Sequence, residues 1–334
     1  GNTYKMWWTR ACPFDTIWYA ESTDMKNWTN CQKIIEIDTN TEWIKEMLGW
    51  SDVVYVNGQY KQTIDLTSYF MWQYFASGNP SDNNDGGVPC FAFDEVHFKL
   101  DNSLKKGDTI RIQSSGANAL EYGVDFLEIE NVPDEIAQPD NSLNVEDFGA
   151  VPDDGQDDYD AIYRCIEEAD RSNMDVYIPA GTFEIGQVWR LYGSNMKITG
   201  AGMWYTNIQF TNPDAGGGGI SAGWQTSGSK DGYCNNIEFC NMYINSNLRS
   251  RYNQQAVYKC FMDVFTDGSV IHDIWEEHFE CGFWFGDYNG KMDYSDGVKV
   301  MDCRIRNNLA DGVNFCQGTS NATVYNCSIR NNGD

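Results

Sequence analysis

The chain is poor in basic residues: 23 Lys and Arg stand against 49 Asp and Glu in 334 residues, for a formal net charge of −26. That balance excludes nucleic acid and anionic membrane as partners, because both repel a negative surface. No run of 18 apolar residues occurs, so no transmembrane helix is encoded. Histidine appears three times, and none of the 11 cysteines forms a C-x-x-C pair or a Cys/His cluster with metal-ligand spacing. The chain also lacks an initiating methionine and stops inside a repeat, so it reads as a fragment in which a missing signal peptide carries no weight.

Aromatic residues, by contrast, are plentiful, with 12 Trp and 19 Tyr. More than half should be core. The remainder, on an acidic surface, suit a neutral polysaccharide, because aromatic faces stack on sugar rings.

The most informative stretch is the last forty residues. V300-M-D-C-R-I-R-N-N is followed 24 residues later by V324-Y-N-C-S-I-R-N-N. Alternating apolar residues that run into Asn and Gly describe a short strand and a corner. The pattern traces backwards through Val270, Asp273 and Trp275 to Ile237, Cys240 and Met242, at intervals of 33, 30 and 24 residues. Repeats of this length are turns of a coil, and they predict a right-handed parallel β-helix whose coils stack about 4.8 Å apart. Cys240, Cys303 and Cys327 fall at one repeat position and Cys281 at another, so most cysteines are expected to be reduced and buried, as small apolar residues.

Stacking turns spacing into geometry. Glu280-Cys281-Gly282 aligns with Ala310-Asp311-Gly312, and Asp334 aligns with Ala310. Asp311 and Asp334 should therefore share a face, one coil apart, with Cα atoms roughly 6 Å from one another. Two carboxylates at that range suit acid–base cleavage of a glycosidic bond. The competing reading is that Asp before Gly forms a turn.

In chain order, residues 1–50 hold strand-like runs, G-N-T-Y-K-M-W-W and I-W-Y-A-E-S-T-D, that resemble a blade of the five-bladed propellers of some glycoside hydrolases. Residues 51–132 show short alternating strands at Val53–Tyr60, Phe93–Leu100, Asp108–Ile112 and Val124–Ile129, which predict a β-sandwich. L-K-K-G-D-T-I-R-I and Y-G-V-D-F-L-E-I-E resemble the end of jelly-roll carbohydrate-binding modules, and this resemblance implies a structural calcium at Asp125. Residues 133–143 read as a polar linker. The phrase D-F-G-A, D-G, D-D, then I-P-A-G-T-F resembles the N-terminal cap of the pectate-lyase-like β-helix superfamily. Its helix is expected from Asp157 as N-cap, with Ile162, Cys165, Ile166 and Ala169 as the apolar stripe that closes the first coil.

Downstream, G-A-G-M-W-Y-T-N-I-Q-F, H-D-I-W-E-E-H-F-E-C-G, R-I-R-N-N-L-A-D-G-V-N-F-C-Q-G and I-R-N-N-G-D together closely resemble the catalytic β-helix of glycoside hydrolase family 87, the bacterial α-1,3-glucanases (mutanases) and mycodextranases. The resemblance spans roughly residues 143–334. It implies an all-β protein with a capped parallel β-helix over 144–334, and a secreted, monomeric, inverting hydrolase of α-glucan that needs no cofactor for its chemistry. It also implies a cluster of three Asp. Asp311 falls on the first and Asp334 on the second, and the third would follow Asp334. Asp334 is assigned as general acid and Asp311 as base, while His278, Glu280, Trp275, Trp284 and Asp287 are expected to line substrate subsites. Lacking the third Asp and later coils, the chain as given is expected to be inactive. Rival readings are a polygalacturonase-like hydrolase, disfavoured by the acidic charge, and a non-catalytic glycan-binding adhesin or tailspike.

Overall fold

In a computed structural model the described residues are 4–9, 16–22, 27, 29–36, 50–66, 95–114, 127–191, 193–214, 216–222, 234–248, 258–266, 268–286, 295–316 and 318–333. The chain divides into two units, Gly1–Met47 with Asn118–Gly123, and Leu48–Ala117 with Val124–Asp334. In the first, Tyr4–Thr9, Thr16–Ser22 and Thr29–Glu36 form an antiparallel three-stranded sheet.

The second unit opens on another antiparallel sheet, with Trp50–Val56 paired to both Gln59–Leu66 and Ile110–Ser114. Asn57 and Gly58 make its tight turn, both at positive φ (51° and 77°), as an Asn-Gly hairpin requires. The strands expected over Phe93–Leu100 and Val124–Ile129 do not form in the described residues 95–100 and 127–130. Those segments run instead along the β-helix, where their alternate side chains find charged and aromatic partners. Arg304 grips Glu130 with two hydrogen bonds of 2.6 and 2.7 Å, and Glu95 accepts from Arg306 (3.2 Å) and Arg330 (2.9 Å). The polar stretch 133–143 is docked too. Tyr205 donates to the Pro133 carbonyl and Tyr177 to that of Ile136, while the Ile136 N–H donates to Ala201.

From Ser142 onward the strands stack in parallel. One sheet runs through Ser142–Asn144, Asp175–Ile178, Lys197–Gly200, Glu238–Ser246, Val270–Glu277, Lys299–Met301 and Thr323–Tyr325. A second holds Trp189–Leu191, Ile220–Ala222, Lys259–Asp263, Cys281–Phe285 and Val313–Phe315. This is the expected parallel β-helix. Its interior is a set of apolar ladders, each rung one coil apart: Ile198, Phe239, Ile271, Val300 and Val324 in one, Trp189, Ile220, Phe261, Phe283 and Val313 in another. Phe261 and Phe283 stack at 5.0 Å with 8° between ring planes.

The corners are ladders of left-handed residues. Asn195, Asn236, Gly268, Gly297 and Asn321 make one; Asn241, Asp273, Asp302 and Asn326 a second; His278, Asn307 and Asn331 a third, all at positive φ. Asn, Asp and Gly tolerate this region because they lack a bulky Cβ substituent or bond their own backbone.

The register corrects two expected alignments. Val300 stacks on Ile271, not on Val270, and on Phe239, not on Ile237. Cys303 and Cys327 share a ladder, which Ile274 and Met242 continue, whereas Cys240 pairs with His272 and belongs elsewhere. Eight described cysteines are free and six of them buried.

The capping helix is Tyr159–Ser172, with Ala161, Ile162, Cys165, Ile166 and Ala169 buried. Its N-cap residue is Asp158, not Asp157. Asp158 turns its carboxylate away to accept from the Val151 and Glu184 N–H groups, and Asp157 supplies the cap bond by accepting from Tyr159 N at 2.9 Å.

Candidate active site

Asp311 follows the corner Asn307–Ala310 and sits just before the strand Val313–Phe315, at the rim of the five-stranded sheet. Its backbone continues the ladder: the Asp311 carbonyl accepts from Gly282 N at 3.0 Å, and Ala310 N donates to the Glu280 carbonyl at 2.7 Å. The expected alignment of residues 280–282 with 310–312 therefore holds in the backbone. The half-buried carboxylate accepts from Asn314 Nδ2 at 3.2 Å. Asn314 pairs in register with Trp284, and Trp284 with Met262 of the coil before.

Trp284 leads to a charge pair. Lys259 Nζ lies 4.4 Å from its ring centroid and 3.1 Å from Glu280 Oε2, and the same oxygen accepts from Tyr258 N at 3.1 Å. Beside them Ser221 donates to Asp263. Asp311, Asn314, Trp284, Lys259 and Glu280 thus form one continuous polar and aromatic group over three coils. Its parts are a carboxylate, an amide that orients it, an indole face, and a cation held by a second carboxylate.

Two residues expected to line subsites lie apart from this group. Trp275 is on the larger sheet, buried, stacked on His97 at 3.8 Å and flanked by the Arg304 guanidinium at 4.6 Å. It anchors the segment 95–97. His278 occupies the corner ladder above which Asn307 and Asn331 sit, at φ 69°, with Nδ1 2.9 Å from Asn245 Oδ1. Asp334, Asp287 and Asp125 lie outside the described residues. The backbone up to Gly333 packs against the loop that carries Asp311, with Gly333 N donating to the Ala310 carbonyl at 2.8 Å. Sequence reading missed Lys259 and Asn314. Lys259 pairs in register with Cys281, so tracing the ladder one coil further down would have found it, and Asn314 lies three residues after Asp311 in the same coil.

Behind this face lies one unusual interior residue. The ladder Phe183, Ile208, Ile244, Glu276, Ile305, Ile329 is apolar save for Glu276. Glu276 is fully buried; Oε1 accepts from Asn308 Nδ2 at 2.8 Å and Oε2 has no partner among the described residues. Burial pushes its pKa well above 4.5, Glu277 adding to the effect against the opposing hydrogen bond from Asn308.

A family model described as alpha-1,3-glucanase catalytic domain D1 matches residues 47–132, and one described as domain D2 matches residues 159–334. Among solved structures, the Agl-KA catalytic domain is 55% identical, covers 86% of this chain and 50% of its own, and superposes with a TM-score of 0.78. The catalytic unit of the thermostable GH87 alpha-1,3-glucanase of Streptomyces thermodiastaticus strain HF3-3 is 22% identical, over 86% of this chain and 47% of that one, with a TM-score of 0.65. A GH87 alpha-1,3-glucanase catalytic-domain variant in complex with tetrasaccharides is 25% identical, over 89% and 49%, with a TM-score of 0.64. The chain thus spans about half the length of the solved chains it matches. No curated protein matches it.

Proposed function

Because this chain belongs to the family of α-1,3-glucanase catalytic domains, we propose that it carries part of the catalytic surface of an extracellular enzyme that hydrolyses α-1,3-glucosidic bonds. The observation that carries this reading is Asp311 at the rim of the five-stranded sheet, held by Asn314 and flanked by Trp284 and the Lys259–Glu280 pair. Solved relatives named as complexes with nigerose and with tetrasaccharides support an α-glucan oligosaccharide as the ligand class.

In an inverting mechanism one carboxyl protonates the leaving glycosidic oxygen while another carboxylate deprotonates a water on the opposite face of the sugar. Asp311 takes the base role. Asn314, donating to one of its oxygens, leaves the other free to accept the water proton. Asp334, placed by the repeat one coil further on, takes the acid role. The acid of such a site must keep its proton until the glycosidic bond breaks. Trp284, half-buried, presents its indole to a sugar, and the buried Lys259, paired with Glu280, holds that ring in place.

The test is Asp311→Asn in the enzyme extended through its later coils, assayed on insoluble α-1,3-glucan for reducing ends and product anomer. Loss of about 10²–10⁴ in turnover, with inverted product in the parent, is expected. Near-parental turnover in the variant would remove Asp311 from the chemistry. Retained glucan binding with no hydrolysis by the parent would instead favour a binding protein.

A further inference from the structure

Glu238 and Cys240 lie two residues apart on the strand Glu238–Ser246, so they leave the sheet on the same side, opposite Phe239 in the core. His272, one coil on, pairs in register with Cys240. Glu238 Oε1 is 3.1 Å from His272 Nε2 and 3.8 Å from Cys240 Sγ, and one ligand atom of each residue lies within 4.8 Å of the others. A tetrahedral ion with metal–sulfur bonds of about 2.3 Å and metal–nitrogen or metal–oxygen bonds of about 2.0–2.1 Å holds its ligand atoms roughly 3.3–3.6 Å apart. Two of the three edges already bracket that value.

The surroundings fit a metal as well. His272 Nδ1 is 2.7 Å from Asp273 Oδ2, so a carboxylate fixes the ring with Nε2 facing the other two ligands. This is the carboxylate–histidine arrangement that orients metal-bound imidazoles. Asp273 is itself fixed by the left-handed corner ladder (φ 51°). Asn241 Nδ2 donates to Cys240 Sγ at 3.2 Å, an interaction that stabilises a thiolate. A surface recess lined by Asp175, Lys197, Glu238 and Val270 opens beside Glu238 and gives an ion a way in. Lys197 Nζ, 2.5 Å from Glu238 Oε1, holds the carboxylate by its own charge.

We propose that Glu238, Cys240 and His272 form a structural site for a zinc-class divalent ion that ties two successive coils together. The donor set is one thiolate, one imidazole and one carboxylate, with water as the fourth ligand. A thiolate selects against calcium and magnesium and for zinc. Binding releases the Cys240 thiol proton and any proton on His272 Nε2, and Lys197 swings off Glu238 into the recess. The ligands come from positions 34 residues apart, joined by one coil, so no spacing within a single segment announces them.

The experiment uses the 334-residue chain, stripped with chelator and titrated with Co²⁺ and with Zn²⁺. Expected are one equivalent bound, a thiolate-to-cobalt charge-transfer band displaced by Zn²⁺, and a rise in melting temperature with Zn²⁺. Cys240→Ser should lose the band. Asp273→Asn should keep it while weakening affinity about 10–100-fold, as removal of an outer-shell partner does. Lys197→Met, which frees Glu238 from its competing cation, should tighten Zn²⁺ about tenfold or more, an effect that a merely structural Lys197 would not produce. If Cys240→Ser does not fold, His272→Gln, at a more accessible position, takes its place. No thiolate–cobalt band in the folded parent would overturn the proposal. So would a band unchanged by both ligand variants, or an unchanged or weaker affinity in Lys197→Met.

Discussion

Glu276 gives the sharpest test of how the coil interior governs stability. Its carboxyl occupies a ladder position filled by Ile244 below and Ile305 above, and burial holds its pKa well above 4.5. The unfolded chain ionises this group near its ordinary value, while the folded chain keeps the proton. Above pH of about 4.5 the folded state therefore binds one proton more, and folding stability falls as pH rises, by about 1.4 kcal/mol per pH unit while the folded carboxyl stays neutral. Glu276→Gln removes the titration but keeps the shape and an oxygen to accept from Asn308 Nδ2. Its stability should match the parent near pH 4 within about 0.5 kcal/mol and exceed it by a margin that widens with pH. Between about pH 6 and pH 8 the widening is worth up to about 2.7 kcal/mol. Urea denaturation of both proteins at several pH values reads this directly. Parallel pH curves would show that Glu276 is ionised in the folded state and refute the assignment.

Three further outcomes follow from the same geometry. His97 is held below its ordinary 6.5, chiefly by burial and also by His278, Arg306 and Arg304, against Glu277. The unfolded chain therefore binds more protons below that value, stability falls as pH drops through about 6.5, and His97→Gln should flatten the acid limb of a thermal-melt series. Lys259→Met leaves Glu280 without its cation in a part-buried setting and should cost roughly 1–3 kcal/mol by denaturant titration, while raising KM for glucan oligosaccharides. Gly282→Ala should cost a similar amount, about 1–3 kcal/mol, because the new Cβ would lie 2.4 Å from Glu276 Oε1 and 2.6 Å from the Gly312 carbonyl oxygen, and the latter is backbone that cannot step aside.

The β-helix was legible because its apolar ladders repeat in the sequence. Val300 and Val324, Ile305 and Ile329 are read directly where successive coils have equal length. The reading slipped by one or two residues lower down, where the coils are longer and an alignment on Val, Cys and Ile alone had no fixed point. A better guide was present: Asn241, Asp273, Asp302 and Asn326 all take left-handed φ at the same corner. Polar residues that tolerate αL mark a corner more firmly than apolar ones mark a strand, because many apolar side chains fill the interior and few residues turn the chain. The strands expected at Phe93 and Val124 show the opposite error. Their alternation is real, but it fits the outer face of the larger sheet, where Glu95, His97 and Glu130 meet Arg306, Trp275 and Arg304.

Trp275 and Trp284 show why function was only partly legible. Both follow an apolar residue on a strand, both carry a cation over the ring, and nothing in their local sequence separates them. What separates them is the sheet that bears each one. The larger sheet is covered by the segments 95–100 and 127–130, so Trp275 is spent on packing. On the five-stranded sheet Trp284 stays part-exposed beside Asn314, the partner of Asp311. A position's chemistry here depends on which outer face it occupies, and that is decided by a segment some 180 residues earlier (Glu95 to Trp275). Removing that cover would test the idea. His97→Ala should expose the Trp275 ring to quenchers without creating carbohydrate affinity, because the face it joins is occupied by Arg–Glu pairs. A gain in glucan binding by His97→Ala would mean that the two sheets are interchangeable as sugar platforms.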